Sequence, residues 1–319
     1  MKRSILWAGA VSLSLVTLAS SLFSATLIAK IHVAHRPVAL DVNPNTKLVY
    51  TANDVDDSIG VIDTTSNTLV RKIPLGDLPF GVAVNASTNL IYANTRGGTV
   101  YVIDGTTNTV LTSVAIGAGS GGIAADAMLN RIYAINSADN TVSVIDGSTS
   151  TVVGTVAVGL DPVCVAVDAI TGYAYVSNGL SGTVSVIDGR TDTVIDTIAL
   201  PNSFPFPNGV AVDHSLNRAY VTDNNNFVLY VIDTNTFTVV ATVPGLSSAH
   251  AVAVNPNNHQ ILVLNFLLIG GSVSAINSNS LLVVGTVLCR REPIRLVVDP
   301  NSGEAYVGVL NDGVIVFAP

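Results

Sequence analysis

The residues most able to do chemistry in this chain are its aspartates, five histidines, a group of arginines and two cysteines. Aspartate closes a V-I-D tripeptide at Asp63, Asp104, Asp146, Asp188 and Asp233, and a looser V-A-V-[DN] run at Asp126, Asp168, Asp213 and Asp299. Paired carboxylates can act as general acids and bases or hold calcium. A residue present in every unit of a repeat is more simply explained by the unit. Asp and Asn at strand ends cap turns by accepting from nearby backbone N–H groups. The histidines are His32, His35, His214, His250 and His259, and the only glutamates are Glu292 and Glu304. There is no G-x-S-x-G elbow, no phosphate loop, no H-E-x-x-H and no Cys/His cluster at zinc spacing. These residues therefore support no catalytic assignment, no metal site and no cofactor.

Repetition dominates the chain and indicates what must position those side chains. Successive V-I-D copies are 41, 42, 42 and 45 residues apart, and a variant ending at Asn277 follows 44 residues later. The second marker ends at Asn43, Asn85, Asp126, Asp168, Asp213, Asn255 and Asp299, which makes seven copies. A proline stands six residues before most of them, at Pro37, Pro79, Pro162, Pro207 and Pro293. Within one unit, Val163–Asp168, Tyr173–Asn178, Thr183–Asp188 and Thr193–Leu200 are apolar runs separated by Gly, Asp and Thr turns. Four short strands per 42 residues, with no 3.6-residue period, make the blade of a β-propeller. The fold class is all-β: a seven-bladed propeller of four-stranded blades. The last unit stops after its third strand, and the orphan strand Thr26–Val33 before the first unit is expected to complete it and close the ring. Closure also removes open sheet edges.

Tyr175-Val176-Ser177-Asn178 sits in the second strand of its unit, with looser copies at Tyr50-Thr51-Ala52-Asn53, Tyr133-Ala134-Ile135-Asn136 and Tyr220-Val221-Thr222-Asp223. Together with V-S-V-I-D and the N-T-V-V-x-T-V-x-V-G fourth strand, these residues resemble the YVTN β-propeller repeat family over about nine-tenths of the chain. The resemblance implies a propeller and an exported or cell-surface protein of bacteria or archaea. It implies no activity, since the family shares none and propellers host many functions. Leu262-Val263-Leu264-Asn265 lacks the Tyr and Tyr306-Val307-Gly308-Val309 lacks the Asn.

The N-terminus agrees with export. Lys2 and Arg3 precede an apolar run from Ile5 to about Leu18, and Ala19 and Ser21 suit cleavage after Ser21. Residues 1–24 are read as a signal peptide and 25–319 as the propeller. An uncleaved anchor is the other reading, because the apolar stretch continues through Phe23. No membrane span is expected after residue 30. The formal net charge is −8, with 14 basic residues and no basic run, which argues against nucleic acid as a partner. Cys164 and Cys289 fall in different blades and are expected to be free thiols.

Departures from the repeat mark a candidate site. Loops leading into first strands and loops joining second to third strands share the face around the channel mouth. Blade five has the enlarged loop Pro201-Asn202-Ser203-Phe204-Pro205-Phe206-Pro207, followed by Asn208. Blade six contributes His250 and the apolar run Phe266-Leu267-Leu268-Ile269. Blade seven contributes Arg290, Arg291 and Arg295, the last at a position that is Ala or Gly in most other blades. Phe204, Phe206, Asn208, His250, Phe266, Arg290, Arg291 and Arg295 are the candidate ligand-binding residues. Arginine grips carboxylate or phosphate, and aromatics add contact area. The competing account has the two phenylalanines packing their own loop and Arg290 and Arg291 pairing with Asp54, Asp56 and Asp57 of blade one. The expected function is a non-catalytic binding propeller of the cell envelope, whose partner is an envelope protein, a peptide or a glycan. The alternatives are a surface-layer protein and a lyase- or lactonase-like enzyme using polar groups such as Asn94, Asn136, Asn178, Asn224 and His250.

Overall fold

Short runs rich in Val, Ile and Thr, punctuated by Gly, Asn and Asp, fold as strands and tight turns throughout. The computed structural model describes residues 25–33, 35–267, 270–289 and 291–318, so the expected signal peptide lies outside the described residues. There are seven four-stranded antiparallel sheets. Blades one to six cover residues 37–74, 79–115, 123–157, 162–199, 207–243 and 249–289. Blade seven joins strands Pro293–Val298, Ala305–Val309 and Gly313–Ala318 to Thr26–Ile31, which pairs antiparallel with Gly313–Ala318. The ring is therefore closed by hydrogen bonds between the two ends of the propeller.

Each blade runs outward from the channel. The first strands of neighbouring blades touch around the ring, and blade one meets blade seven. Second and third strands are almost wholly buried, whereas fourth strands such as Thr151–Ala157 expose alternate residues. In blades one to six a register shift interrupts the pairing of third and fourth strands, as between Val144 and Ile145. Such bulges increase local twist, which each blade needs to splay from a narrow channel. Between blades lie apolar clusters, one of them built from Tyr133 and Ile135 of blade three against Val165, Ala174 and Ile187 of blade four. The second-strand tyrosines are fully buried there. A Cβ on Gly189 would stand 2.0 Å from the Tyr133 hydroxyl, so the turn after this V-I-D has room only for glycine.

The repeated aspartates are turn caps. Asp63 accepts from the Thr65 and Ser66 amides, Asp104 from Thr106 and Thr107, Asp146 from Ser148 and Thr149, and Asp233 from Asn235 and Thr236; Asn277 accepts likewise from Asn279 and Ser280. The first-strand set does the same on the face opposite the channel mouth and also reaches the next blade. Asn43 donates to Asn89, and Asn85 to Asn130. Asp168 pairs with His214 at 3.0 Å, and Asp213 with His259 at 2.8 Å. Asn45, Ser87 and Asn257 donate to carbonyls of the following blade, and Asn301 donates to Pro44 O across the ring closure. These bonds form a polar belt that ties successive blades together. Two of the five histidines belong to it.

Candidate functional site

The seven first strands enclose a channel cavity of about 280 Å³. Its wall is mostly small or aliphatic: Ala39, Gly81, Gly122, Cys164, Gly209 and Ala251 stand in equivalent places on blades one to six. Arg295 occupies the seventh place and is half-buried. Among the described residues no carboxylate lies within 4 Å of its guanidinium, whose one hydrogen bond is a long one of 3.4 Å to the carbonyl of Ile294. Cys164 lines the channel as a free thiol, and Cys289 lies in the fourth strand of blade six, also free. Burial pushes the Cys289 thiol up to about 12, so it is inert as a nucleophile at neutral pH.

One position earlier on each first strand, the side chains are Val38, Phe80, Gly121, Val163, Asn208, His250 and Ile294. Blades five and six alone are polar there, and their side chains meet: Asn208 Nδ2 lies 3.1 Å from His250 Nδ1. An amide nitrogen only donates, so His250 Nδ1 accepts and Nε2 carries the ring proton. Asn208 is buried, and its Oδ1 has no partner among the described residues. The His250 ring packs against Phe266, with centroids 4.5 Å apart. Burial, with a further push from Arg295, holds the imidazole neutral by lowering it to about 3. Four of the residues singled out from the sequence (Asn208, His250, Phe266 and Arg295) thus form one cluster at the channel mouth.

The remaining four are placed differently. Phe204 is 90% exposed and adopts a left-handed backbone. Phe206 leans on blade four, where a Cβ added to Gly179 would be 3.0 Å from its ring. Its amide donates to Asp223, which anchors the long loop to blade five. Arg291 sits at the outer rim between blades six and seven, 3.7 Å from Asp312, which also takes a hydrogen bond from Lys30. Arg290 lies outside the described residues. The acidic loop of blade one has other partners: Arg36 and Arg96 each lie 3.5 Å from buried Asp54, and His35 bonds Asp56 through its backbone amide. Burial nevertheless raises the Asp54 carboxyl, outweighing its two arginines.

Two further observations bear on chemistry. The asparagines proposed as enzymic ligands bond within their own surroundings, and among the described residues the Oδ1 atoms of Asn94, Asn136 and Asn178 are buried without a partner. Asn136 donates to Thr141 and Ser143, Asn178 to Thr183 and Ser185, Asn94 to the Gly121 carbonyl, and Asn224 accepts from Ser248. The second is Asp41, which sequence reasoning missed. It lines the channel on blade one, two residues beyond Ala39, where the other blades carry Ala83, Ala124, Ala166, Ala211, Ala253 and Val297. Its carboxylate accepts from the Val42 and Val84 amides at 2.8 and 2.7 Å. Burial raises it to about 6 despite those bonds. The signal was available: Asp41 breaks the repeat as plainly as Arg295 does. Among the described residues no group of three or more His, Cys, Asp or Glu is arranged to hold a metal ion.

The NHL repeat family matches residues 204–227, which span the end of the long loop and the first two strands of blade five. The match agrees with the propeller of repeated blades that the structure shows. No curated protein matches it significantly.

Proposed function

We propose that this chain is an exported, non-catalytic binding propeller of the YVTN type, working in the cell envelope and engaging its partner at the channel mouth of blades five to seven. One observation carries the reading. Asn208, His250, Phe266 and Arg295 depart from the repeat and come from three adjacent blades; Asn208 and Phe266 contact His250, and Arg295 is near enough to act on its ring. The aspartates and asparagines that repeat at the strand-end turns are bonded within the scaffold, so recognition is assigned to residues that do not repeat. Support for a binding role comes from the propeller itself, from the NHL match in blade five and from the exposed aromatic Phe204 in the long loop of that blade. Support for export is the N-terminal pattern of Lys2, Arg3, an apolar run and small residues. Among the described residues no helix is long and apolar enough to cross a membrane.

The test is site-directed photocrosslinking in the producing cell. A photoreactive phenylalanine at Phe266 is expected to capture a defined envelope protein or glycan. The same group at Met128, exposed in the belt-side turn of blade three, is expected to capture none. Equal capture from both positions would remove the assignment of the face. Cell fractionation with intact-mass measurement reads export and leader cleavage directly.

A further inference from the structure

Arg295 poses a physical problem that a ligand would solve. A guanidinium in a half-buried channel wall gives up hydration and is ordinarily compensated by an anion. Among the described residues no carboxylate pairs with it. Asp41, the one other charged residue lining the channel, is held by two backbone amides and lies beyond ion-pair distance. Asp312 is taken by Lys30 and Arg291, and Asp54 by Arg36 and Arg96. Six sister positions show that the fold is satisfied by Ala, Gly or Cys there, so the arginine is not required by packing. Beside it, His250 is fixed by Asn208 in the tautomer that leaves an Nε2–H to donate, with Phe266 packed against its ring.

We propose that the channel mouth binds a carboxylate, which Arg295 grips with the His250 Nε2–H as a second donor. This rests on the reading that blades five to seven form the binding face, and it names the chemistry that the face recognises. Arginine suits the task because its planar fork matches a carboxylate's two oxygens. The channel cavity of about 280 Å³ that Arg295 lines admits a small acid or the end of a chain, not a folded domain. Phe266 packs against the His250 ring and offers the remainder of the ligand an aromatic surface beside it. The formal charge of −8 opposes anions at long range, but salt screens that repulsion beyond about 8 Å at physiological ionic strength. The local arginine then decides binding.

The experiment is thermal denaturation of the purified chain in sodium acetate against sodium chloride at matched ionic strength, repeated with Arg295→Ala and Arg295→Lys. A ligand that binds only the folded state raises its melting temperature with concentration. The wild type is expected to be stabilised by acetate over chloride. Arg295→Ala should need at least tenfold more acetate for the same rise, and Arg295→Lys should fall between. Since Ala is the residue of blades one and six at this place, the variant is expected to fold. Short peptides with a free or an amidated C-terminus separate the two sources of the carboxylate. Stabilisation by the free-ended peptide at far lower concentration than acetate identifies a chain end, and stabilisation by acetate alone identifies a small acid. The proposal is overturned if acetate does not exceed chloride, or if Arg295→Ala responds as the wild type does. Crosslinking from Phe266 is independent of that result: capture without acetate binding would leave the face standing and remove its carboxylate chemistry.

Discussion

The two faces of this propeller use similar side chains to opposite ends. On one, Asn43, Asn85, Asp168 and Asp213 recur blade after blade, and each is bonded to its own turn and to the neighbouring blade. On the other, Asn208, His250 and Arg295 each occur once; among the described residues the Asn208 Oδ1 has no hydrogen-bond partner and no carboxylate pairs with the Arg295 guanidinium. Repetition therefore separates scaffold from site. The repeated turn residues are bonded by the blade that places them, whereas Asn208, His250 and Arg295 are single departures from the repeat that lie on three adjacent blades. The same criterion applies to Asp41, which breaks the repeat inside the channel and is held well above the usual carboxylate range by burial.

Substitutions can break or sharpen that contrast. The largest effect belongs to the scaffold: Tyr133→Ala empties a fully buried site between blades three and four and should reduce unfolding free energy by about 3–5 kcal/mol in urea melts. A variant as stable as the wild type would deny the second-strand tyrosines their packing role. Asp41→Ala comes next. A carboxyl raised in the folded state binds its proton more tightly there, so stability is lost as pH rises from the unfolded value near 3.9 through about 6. The wild type is expected to lose on the order of 2 kcal/mol from this group between pH 4 and pH 7, allowing for water in the channel. Asp41→Ala should flatten that slope; melts at the two pH values decide.

In the belt, His214→Ala removes a partner of Asp168. The Asp168 carboxyl is lowered because its bonds to His214 and to the Ile170 and Thr171 amides outweigh burial, which alone would raise it. Its contribution is present above the unfolded value near 3.9 and disappears as pH falls through the lowered folded value. The variant should trail the wild type by about 1 kcal/mol at pH 5, with the gap closing at pH 3, since His214 is partly exposed. A gap that widens in acid would reverse the assigned sign. Smallest is Phe204→Ala, expected to change stability by less than about 0.5 kcal/mol because the ring is in solvent. A larger loss would show that the ring packs in solution.

The propeller was legible because its signal is periodic. Seven copies of V-A-V-[DN], the spacing of V-I-D and an orphan strand at Thr26 specify blade number, strand order and closure, since each marker falls where a pleated strand must end in a turn. The turn-capping role of the repeated aspartates was legible for the same reason. The site was only half legible. Asn208, His250 and Arg295 lie on first strands, where register fixes the direction of a side chain, and they converge as their positions imply. Phe204, Phe206 and Arg291 lie in loops, where no period fixes direction. One ring points to solvent, one leans on Gly179 of blade four, and the arginine turns outward to Asp312. Asp41 was missed because the blades were compared at the place of Ala39 and not two residues further along the same strand.

The most direct test of the division between scaffold and site is the urea-denaturation midpoint of Arg295→Ala at neutral pH without added ligand. If Arg295 is there for recognition, removing a guanidinium without a carboxylate partner among the described residues leaves the midpoint unchanged or raises it. A midpoint lowered by as much as the belt variant, about 1 kcal/mol at unchanged slope, would make Arg295 a structural residue and contradict the account.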